Sequence, residues 1–319
     1  MTLRMRWFVV GFSVVLAVLA TGLVGAPTVY FELFVAQHGE TPSVLPRPVL
    51  GRGQWFDDYF VIESIDEATF AIGEPRYYQG NYSYLLLGRE RALLFDAGSG
   101  LRDLAPVVRA LTHLPVTVLP SHLHFDHVGA LGHFDRIALP DDPSLRTRER
   151  NGLLRLGRYE FLGAMDRRDP PTVSVDDWWS DGQRIDLGGR TVEVWRTPGH
   201  TPTSVSIWEA SRALLLVGDF LYPGELYAFL PGASLSAYEA SASRLLRRLP
   251  ADARLYAAHM QDAPALPAAP LLHRHDLEAL EGALIARRMG QLPSVGFYPQ
   301  IYPVAGAITL ATGFRWNLR

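Results

Sequence analysis

The sequence of 319 residues contains no cysteine. Disulfide bonds, thiolate metal ligands and cysteine nucleophiles are therefore excluded together. Lysine is absent as well, so all 30 basic side chains are arginines. This second absence excludes Schiff-base chemistry and the lysine of a phosphate-binding P-loop.

An excess of charge of one sign is also missing. The 30 basic and 33 acidic side chains give a formal net charge of −3, and this balance gives no reason to expect a nucleic-acid partner. The composition, 48% hydrophobic and 20% charged, is that of an ordinary globular protein. A chain of this length can bury a sizeable core.

A long hydrophobic run stands at the N-terminus, where Trp7–Ala26 gives 20 residues without a charge after Arg4 and Arg6. As a helix it would be about 30 Å long, the thickness of a bilayer core. The next basic residue is Arg47, so the positive-inside rule places the N-terminus in the cytoplasm and the rest outside. We interpret the run as an uncleaved membrane anchor. The alternative is a signal peptide cleaved after Val24–Ala26, and it also exports the rest.

Composition divides the chain into residues 1–26 as signal anchor or signal peptide, 27–54 as linker and 55–319 as the main domain. The stretch Ala36–Gln54 is rich in proline, glycine and polar residues. Short apolar runs alternating with helical patterns then predict an α/β or layered α+β domain. The predicted strands are Tyr82–Gly88, Ala92–Phe95, Val116–Leu119, Ile137–Leu139, Val192–Trp195, Val205–Trp208, Ala213–Val217 and Leu255–Ala258. The predicted helices are Leu101–Leu114, Ser236–Leu249, which opens with a Ser236/Glu239 capping box, and Asp276–Met289.

The most informative segment is Ser121–His127, which directly follows a predicted strand and reads Ser-His-Leu-His-Phe-Asp-His. Residues two apart in extended backbone point the same way, so His122 and His124 can present both imidazoles to one cation. Asp126 and His127 follow on the turn and can serve a second cation. Imidazole and carboxylate groups without sulfur suit zinc and also admit iron or manganese. A solvated histidine-rich loop is the alternative, but this density at the end of a buried strand favours a metal site.

Three further residues stand at the ends of predicted strands, namely His200, Asp219 and His259. Each of them alone is more typical of a structural cap or a hydrogen-bonded histidine. Together with the segment Ser121–His127, they place potential ligands at the C-terminal ends of four predicted strands. Loops converge there to build sites on layered sheets.

This order, HxHxDH followed by His, Asp and His, resembles the dinuclear pattern of the metallo-β-lactamase-fold hydrolase superfamily from about Tyr78 to His259. The resemblance implies an α+β fold, a four-layer αββα sandwich, for residues 55–319, preceded by the N-terminal transmembrane or signal helix. It also implies two zinc ions as cofactors, with iron or manganese as alternatives. The implied first-metal ligands are His122, His124 and His200, the second-metal ligands are Asp126, His127 and His259, and Asp219 bridges the two metals.

Two other residues have expected roles, Asp96 from the resemblance and Tyr222 from its position in the sequence. Asp96, in Phe95–Gly98, matches a position that supports the metal loop from behind, although an ordinary turn residue at a strand end explains it equally well. Tyr222, three residues after Asp219, is a candidate hydrogen-bond donor to a developing oxyanion. The alternative for Tyr222 is an aromatic side chain packed beside the site.

The implied activity is hydrolysis of an ester, thioester or lactone carbonyl by a metal-bound hydroxide, with Asp126 orienting the nucleophile. The absence of cysteine excludes the β-lactamases that use a cysteine ligand. An aspartate at the bridging position is similar to the glyoxalase II-like and thioesterase branches. The segments His133–Arg136 and Gly218–Tyr222 resemble an acyl-CoA thioesterase of the superfamily.

Alternative functions are β-lactam or phosphodiester hydrolysis on the same metals, and a membrane-tethered zinc-binding protein without activity. The complete ligand set argues against the inactive protein. The predicted partners are a small-molecule or lipid-like acyl substrate and a membrane bound through the N-terminal helix. We therefore expect the main domain to lie outside the cytoplasm, anchored or exported.

The segment Leu145–Arg168 carries seven arginines interleaved with apolar residues. Its amphipathic pattern fits a lid that holds an anionic or acyl substrate, or a face that rests on lipid headgroups. A solvated helix that covers the core is the third interpretation.

Overall fold

The computed structural model describes residues 26–260 and 267–313, which form six α-helices and nineteen β-strands. The helices are α1 Ala26–Tyr30, α2 Ala105–Leu111, α3 Pro143–Arg146, α4 Arg158–Phe161, α5 Leu235–Arg248 and α6 Arg274–Met289. The first nine strands are β1 Gln54–Trp55, β2 Val61–Asp66, β3 Thr69–Glu74, β4 Asn81–Leu87, β5 Ala92–Phe95, β6 Val116–Leu119, β7 Ala138–Pro140, β8 Leu153–Arg155 and β9 Thr172–Ser174. The others are β10 Asp177–Trp179, β11 Arg184–Asp186, β12 Thr191–Arg196, β13 Val205–Glu209, β14 Leu214–Gly218, β15 Glu225–Ala228, β16 Arg254–Ala257, β17 Leu271–His273, β18 Gln300–Ala305 and β19 Ile308–Thr312.

Two six-stranded sheets form the centre of the fold, with strand orders β1-β2-β3-β4-β5-β6 and β11-β12-β13-β14-β16-β17. Each sheet contains one parallel pair, β5 with β6 and β14 with β16. A parallel pair needs a crossover connection, and here the crossovers carry α2 and α5. A smaller sheet, β15-β19-β18, and the pairs β7–β10 and β8–β9 complete the described strands.

Strand β4 shows how the layers pack. Tyr84 and Leu86 belong to the apolar cluster between the two sheets, together with Val194 and Ile207 of the second sheet. Leu85 points the other way and joins a second cluster with residues of α2. Since successive side chains of a strand alternate between faces, a strand buried on both faces must be almost wholly apolar. On the second sheet, leucines of α5 and α6 pack against apolar residues of β14 and β16. The layers are therefore helix, sheet, sheet and helix, as predicted.

All eight predicted strands are present, each within one residue of its predicted bounds. The helix predicted over Leu101–Leu114 is shorter, because Asp103 Oδ1 accepts from Ala105 N at 2.9 Å and Pro106 occupies the first turn. The predicted capping box at Ser236 and Glu239 is wrong. The N-cap of α5 is Ser234 instead, whose Oγ accepts a hydrogen bond from the Ala237 amide at 3.3 Å. Glu239 forms an ion pair with Arg288 at 3.0 Å.

The predicted linker begins with helical turns that pack against the main domain. We call residues 26–38 the N-terminal helical segment; it comprises α1, a π-helical turn Phe31–Val35 and a 3-10 turn Ala36–His38. The Phe31 side chain is fully buried in the cluster on the outer face of the first sheet. Glu32 accepts two hydrogen bonds from Arg158, at 2.8 and 2.9 Å. This part of residues 27–54 therefore packs as part of the domain, and the boundary drawn at residue 54 stays a prediction.

Within residues 26–260 and 267–313, the structure has no helix that is both long enough and apolar enough to cross a bilayer. The anchor or signal predicted for residues 1–26 lies outside the described residues, apart from Ala26 at the start of α1.

Replacing Phe31 by alanine is expected to lower the free energy of unfolding by about 3–5 kcal/mol, the cost of deleting a buried aromatic side chain. Phe34 is the matched control, because the same segment leaves 61% of it exposed. Phe34→Ala is expected to change stability by less than about 0.5 kcal/mol. Urea unfolding of both variants measures the difference, and equal stabilities would show that Phe31 does not belong to the core.

Candidate metal centre

The seven predicted ligand residues converge at one end of the sandwich. His122 to His127 follow β6, His200 follows β12, Asp219 follows β14 and His259 follows β16. A backbone bridge between Asn81 and His259 ties the two sheets together at this point. All seven side chains are buried; they are His122, His124, Asp126, His127, His200, Asp219 and His259.

Three histidines form the first group. The ligand nitrogens of His122, His124 and His200 lie within 4.8 Å of one another. His200 Nε2 is 3.1 Å from His124 Nδ1, close to the separation of two nitrogens bound to one zinc at about 2.0–2.1 Å. His122 Nε2 is buried without a hydrogen-bond partner among the described residues, and such an atom is free to bind a cation.

A second group consists of Asp126, His127 and His259, whose ligand atoms also lie within 4.8 Å of one another. Nε2 of His259 is 3.3 Å from Nε2 of His127 and 3.3 Å from Oδ2 of Asp126. The mixed nitrogen and oxygen donor set suits zinc, iron or manganese.

Asp219 lies between the two groups and turns one carboxylate oxygen to each. Its Oδ1 is 3.2 Å from His127 Nε2 and 3.1 Å from His259 Nε2. Its Oδ2 is 3.6 Å from His200 Nε2 and 4.0 Å from His122 Nε2. Asp219 therefore lies within 4.0 Å of ligand atoms in both groups.

A close backbone approach brings Asp219 to this position. Gly218 has a φ of +54°, and a β-carbon there would lie 2.5 Å from Ser121 Oγ. A larger residue would therefore push the end of β14 away from the loop that carries His122. Glycine adopts this conformation without strain.

The lowered pKa values of the three histidines in the first group favour cation binding. Burial lowers the pKa values of His122, His124 and His200, so these imidazoles are neutral near pH 7 and keep a lone pair. At His127 and His259 burial acts in the same direction, but the nearby carboxylates of Asp219 and Asp126 outweigh it and raise both pKa values.

The pKa of Asp219 is lowered although its burial acts to raise it, because His259 and His127 stabilise the charged carboxylate. Two buried carboxylates, Asp126 and Asp219, thus share one site that needs compensating positive charge. Either protons on the histidines or divalent cations can supply that charge, and the donor set fits the cations.

Main-chain carbonyls outside the two ligand groups orient two of the imidazoles. His200 Nδ1 donates to the Tyr227 carbonyl at 2.8 Å, and His259 Nδ1 faces the Gln79 carbonyl at 3.3 Å. Such partners fix the tautomer and leave the second nitrogen for a metal.

Asp96 stands behind the metal loop, as the resemblance implies. Its Oδ2 is 3.1 Å from His127 Nδ1, and its Oδ1 accepts from the Ser121 amide at 2.6 Å. The residue has a φ of +67°, a backbone conformation that is strained for most side chains and better tolerated by aspartate. One side chain therefore fixes both the start and the end of the HxHxDH segment.

The hydroxyl of Tyr222 is not oriented for the predicted hydrogen bond to an oxyanion. Its hydroxyl donates to the Glu225 carbonyl at 2.5 Å, and its ring lies 5.3 Å from that of His259. The single hydroxyl proton is thus already used by the main chain. The geometry favours the alternative, an aromatic side chain packed beside the site.

Sequence reasoning missed Asn81, whose Nδ2 donates to the main-chain oxygen of Asp126 at 2.8 Å and to its Oδ2 at 3.2 Å. It also missed the buried Glu74 beneath the loop, which accepts from Tyr59 Oη at 2.9 Å and from the Ser99 amide at 2.8 Å. No local pattern marks either residue, because each acts through partners that are distant in sequence.

The segment Leu145–Arg168 does not form one amphipathic helix; it is divided among α3, β8, α4 and a 3-10 turn, Gly163–Asp166. Arg148 pairs with Glu160 at 2.7 Å, and Arg168 donates to the carbonyl of Ser99. Leu162 and Met165 line the cavity beside the metal centre. The segment therefore covers the site with apolar side chains, while these two arginines serve the protein's own structure.

A cavity of about 260 Å³ opens beside the seven residues. Its polar side contains five of them, and most of the remaining wall is apolar or aromatic. The polar side consists of His124, Asp126, His200, Asp219 and His259, and the apolar wall includes Tyr30, Val35, Phe125, Leu162, Met165, Tyr222, Tyr227, Phe229, Leu230 and Pro299.

Comparison with known proteins agrees with this geometry. Among curated relatives, the acyl-coenzyme A thioesterase MBLAC2 of Gallus gallus is 29% identical over 215 residues, which are 59% of this chain and 76% of that protein. A hydroxyacylglutathione hydrolase of Aeromonas hydrophila is 29% identical over 192 residues, 57% of this chain and 62% of that protein.

A solved structure, a metallo-β-lactamase from Pontibacter korlensis, superposes with a TM-score of 0.53 at 16% identity. The superposition covers 71% of this chain and 99% of that protein, so it supports the fold. The family model of the metallo-β-lactamase superfamily matches residues 77–259, more than half of the chain. The chain belongs to the metallo-β-lactamase superfamily, which confirms the family and the α+β sandwich predicted from the sequence.

Proposed function

We propose that this protein is a dinuclear zinc-dependent hydrolase that cleaves acyl thioesters, esters or lactones. The observation that carries the proposal is Asp219, whose two oxygens face two different ligand groups at 3.1–3.2 Å and 3.6–4.0 Å. A site for one metal would not need a carboxylate between two groups. The names of the two curated relatives, an acyl-coenzyme A thioesterase and a hydroxyacylglutathione hydrolase, support an acyl substrate.

His122, His124 and His200 would hold one zinc ion, Asp126, His127 and His259 the other, and Asp219 would contact both. When bound, the two ions supply Lewis acidity and activate water near neutral pH.

Asp126 is the residue best placed to move a proton. It lines the cavity, and Asn81 Nδ2 fixes its Oδ2 at 3.2 Å. A carboxylate so oriented can accept the proton that water loses during attack and return it to the departing thiolate or alkoxide. Because the Tyr222 hydroxyl already donates to the Glu225 carbonyl, we assign Tyr222 to the wall of the cavity.

The apolar wall selects the acyl part of the substrate. Leu162, Met165, Phe229 and Leu230 line the same cavity as the polar groups, so an acyl chain can bury its methylene groups there at about 0.8 kcal/mol each. The same wall excludes water from the carbonyl, which strengthens the electrostatic interactions at the reacting centre.

We further propose that residues 7–26 anchor the protein in a membrane and that the domain faces away from the cytoplasm. The support is the uncharged run and the two arginines before it. Coenzyme A thioesters are cytoplasmic, so the substrate of an outward-facing enzyme is better sought among lipid esters, lactones and secreted acyl compounds.

A substrate panel tests the activity. We expect kcat/KM for a long-chain acyl thioester or an acyl lactone to exceed that for a cephalosporin by at least tenfold, about 1.4 kcal/mol in transition-state stabilisation. A bis(p-nitrophenyl) phosphate arm tests the phosphodiesterase alternative. A tenfold preference for the cephalosporin or the phosphodiester would refute the acyl-hydrolase proposal, and zinc binding with no turnover of any substrate would favour the inactive protein.

A further inference from the structure

We propose that the N-terminal helical segment is a wall of the substrate cavity and that its outer face docks on a lipid bilayer. The acyl substrate would then enter the site directly from the membrane. This inference rests on the proposed function for the substrate, and it adds where that substrate comes from and which surface delivers it.

The inner face of the segment belongs to the cavity. Tyr30 and Val35 line it together with the metal-centre residues. The Tyr30 ring lies 5.4 Å from that of Phe229 and 5.1 Å from that of Tyr298, so aromatic contacts hold the segment at the rim. The buried Phe31 fixes the next turn in the core. The position of the segment is thus set by packing, and the segment cannot move away without opening the cavity.

The outer face is apolar and exposed. Val29, Leu33 and Phe34 are 50%, 48% and 61% exposed, whereas Phe31 between them is fully buried. Val29 and Leu33 are four residues apart and therefore share one side of the helical turns. Glu32 is the acidic residue of these turns, and it is neutralised by its bidentate pair with Arg158. Adjacent exposed apolar side chains with no unpaired charge among them are typical of a surface that contacts an apolar partner.

The chain itself indicates that this partner is a bilayer. The uncharged run Trp7–Ala26 is long enough to span a membrane, and its last residue is the first residue of α1. Val35 lies nine residues further along, which corresponds to at most about 14 Å of helical turns. If the run is in the membrane, no linker separates it from the cavity wall, so Val29, Leu33 and Phe34 must lie at the bilayer surface.

The absence of cysteine allows a test on the full chain. Phe34→Cys gives a unique site for an environment-sensitive fluorophore, and Val49→Cys, at a position that is 73% exposed, is the control. Both proteins are reconstituted in phosphatidylcholine vesicles with and without brominated acyl chains. We expect blue-shifted emission and at least twofold quenching by brominated lipid at position 34, and neither at position 49.

If the fluorophore at position 34 emits in vesicles at the wavelength typical of a water-exposed probe, the proposal is overturned. A blue shift without quenching by brominated lipid would also overturn it, because the outer face would then contact another copy of the chain. This readout does not depend on activity, so it decides the docking even if the proposed acyl hydrolysis fails.

A matched pair of charge substitutions tests substrate delivery. Val29→Glu is expected to lower kcat/KM at least tenfold for a long-chain acyl ester embedded in vesicles and to leave the rate on a short, water-soluble ester unchanged. Val49→Glu should change neither rate. Equal losses on both substrates would show that the segment only supports the fold, and an unchanged rate on the embedded ester would show that the membrane surface does not deliver the substrate.

Discussion

The purified protein is expected to contain close to two divalent metal ions per chain, and chelation is expected to lower kcat at least a thousandfold. The motivation is the pair of ligand groups that share Asp219. Without metal, water keeps its bulk pKa, which is far above the value near 7 that a bound cation produces. A thousandfold loss corresponds to about 4 kcal/mol.

Elemental analysis and reactivation by added zinc, iron or manganese measure this prediction and compare the metals. His200→Ala should reduce the metal content towards one ion per chain. His133→Ala is the matched control, because its exposed side chain lies outside both ligand groups and faces Asp103 at 3.4 Å. Only trace metal in a fully active preparation would contradict the dinuclear site.

Asp126→Ala is expected to remove the second metal ion and to lower kcat by about three orders of magnitude, again about 4 kcal/mol. The carboxylate is expected both to bind the metal and to carry the proton, so two contributions are lost together. The fold should persist, because Asn81 Nδ2 still donates to the main-chain oxygen of residue 126, at 2.8 Å in the wild-type protein.

Asp135→Ala is the control for this substitution, since Asp135 is exposed and lies nine residues after Asp126 in the sequence. Metal analysis, kcat and the midpoint of thermal unfolding should be compared for both variants. A wild-type rate in Asp126→Ala would reject its role. A loss of activity accompanied by a large drop in the unfolding midpoint would instead show that Asp126 supports the fold.

The sequence predicted the central strands well for a physical reason. Strands such as Leu214–Gly218 and Ala92–Phe95 are buried on both faces, so their composition is apolar throughout and stands out from the flanking turns. Strand β2, Val61–Asp66, was missed because its burial varies along its length and polar residues interrupt its apolar pattern. The short strands β8 and β11, with three residues each, offer too little periodicity to be recognised.

The candidate ligands could be predicted because four of them lie within one short segment of the sequence and the others follow predicted strands. Ser121–His127 holds four potential ligands, and His200, Asp219 and His259 each follow a recognisable strand. The contact between Asp219 and both groups could not be predicted from composition. It depends on the register of two sheets and on the close approach that Gly218 allows to Ser121.

By itself, the sequence determined the donor set, the exclusion of cysteine and lysine chemistry, and the alternation of strands and helices, because these follow from residue type and local spacing. Only the tertiary structure decided the orientation of the Tyr222 hydroxyl, the support of Asp126 by Asn81, and the packing of residues 26–38 against the cavity. Those features join residues that are far apart in sequence. Their geometry is fixed by the packing of whole layers, and no local pattern encodes it.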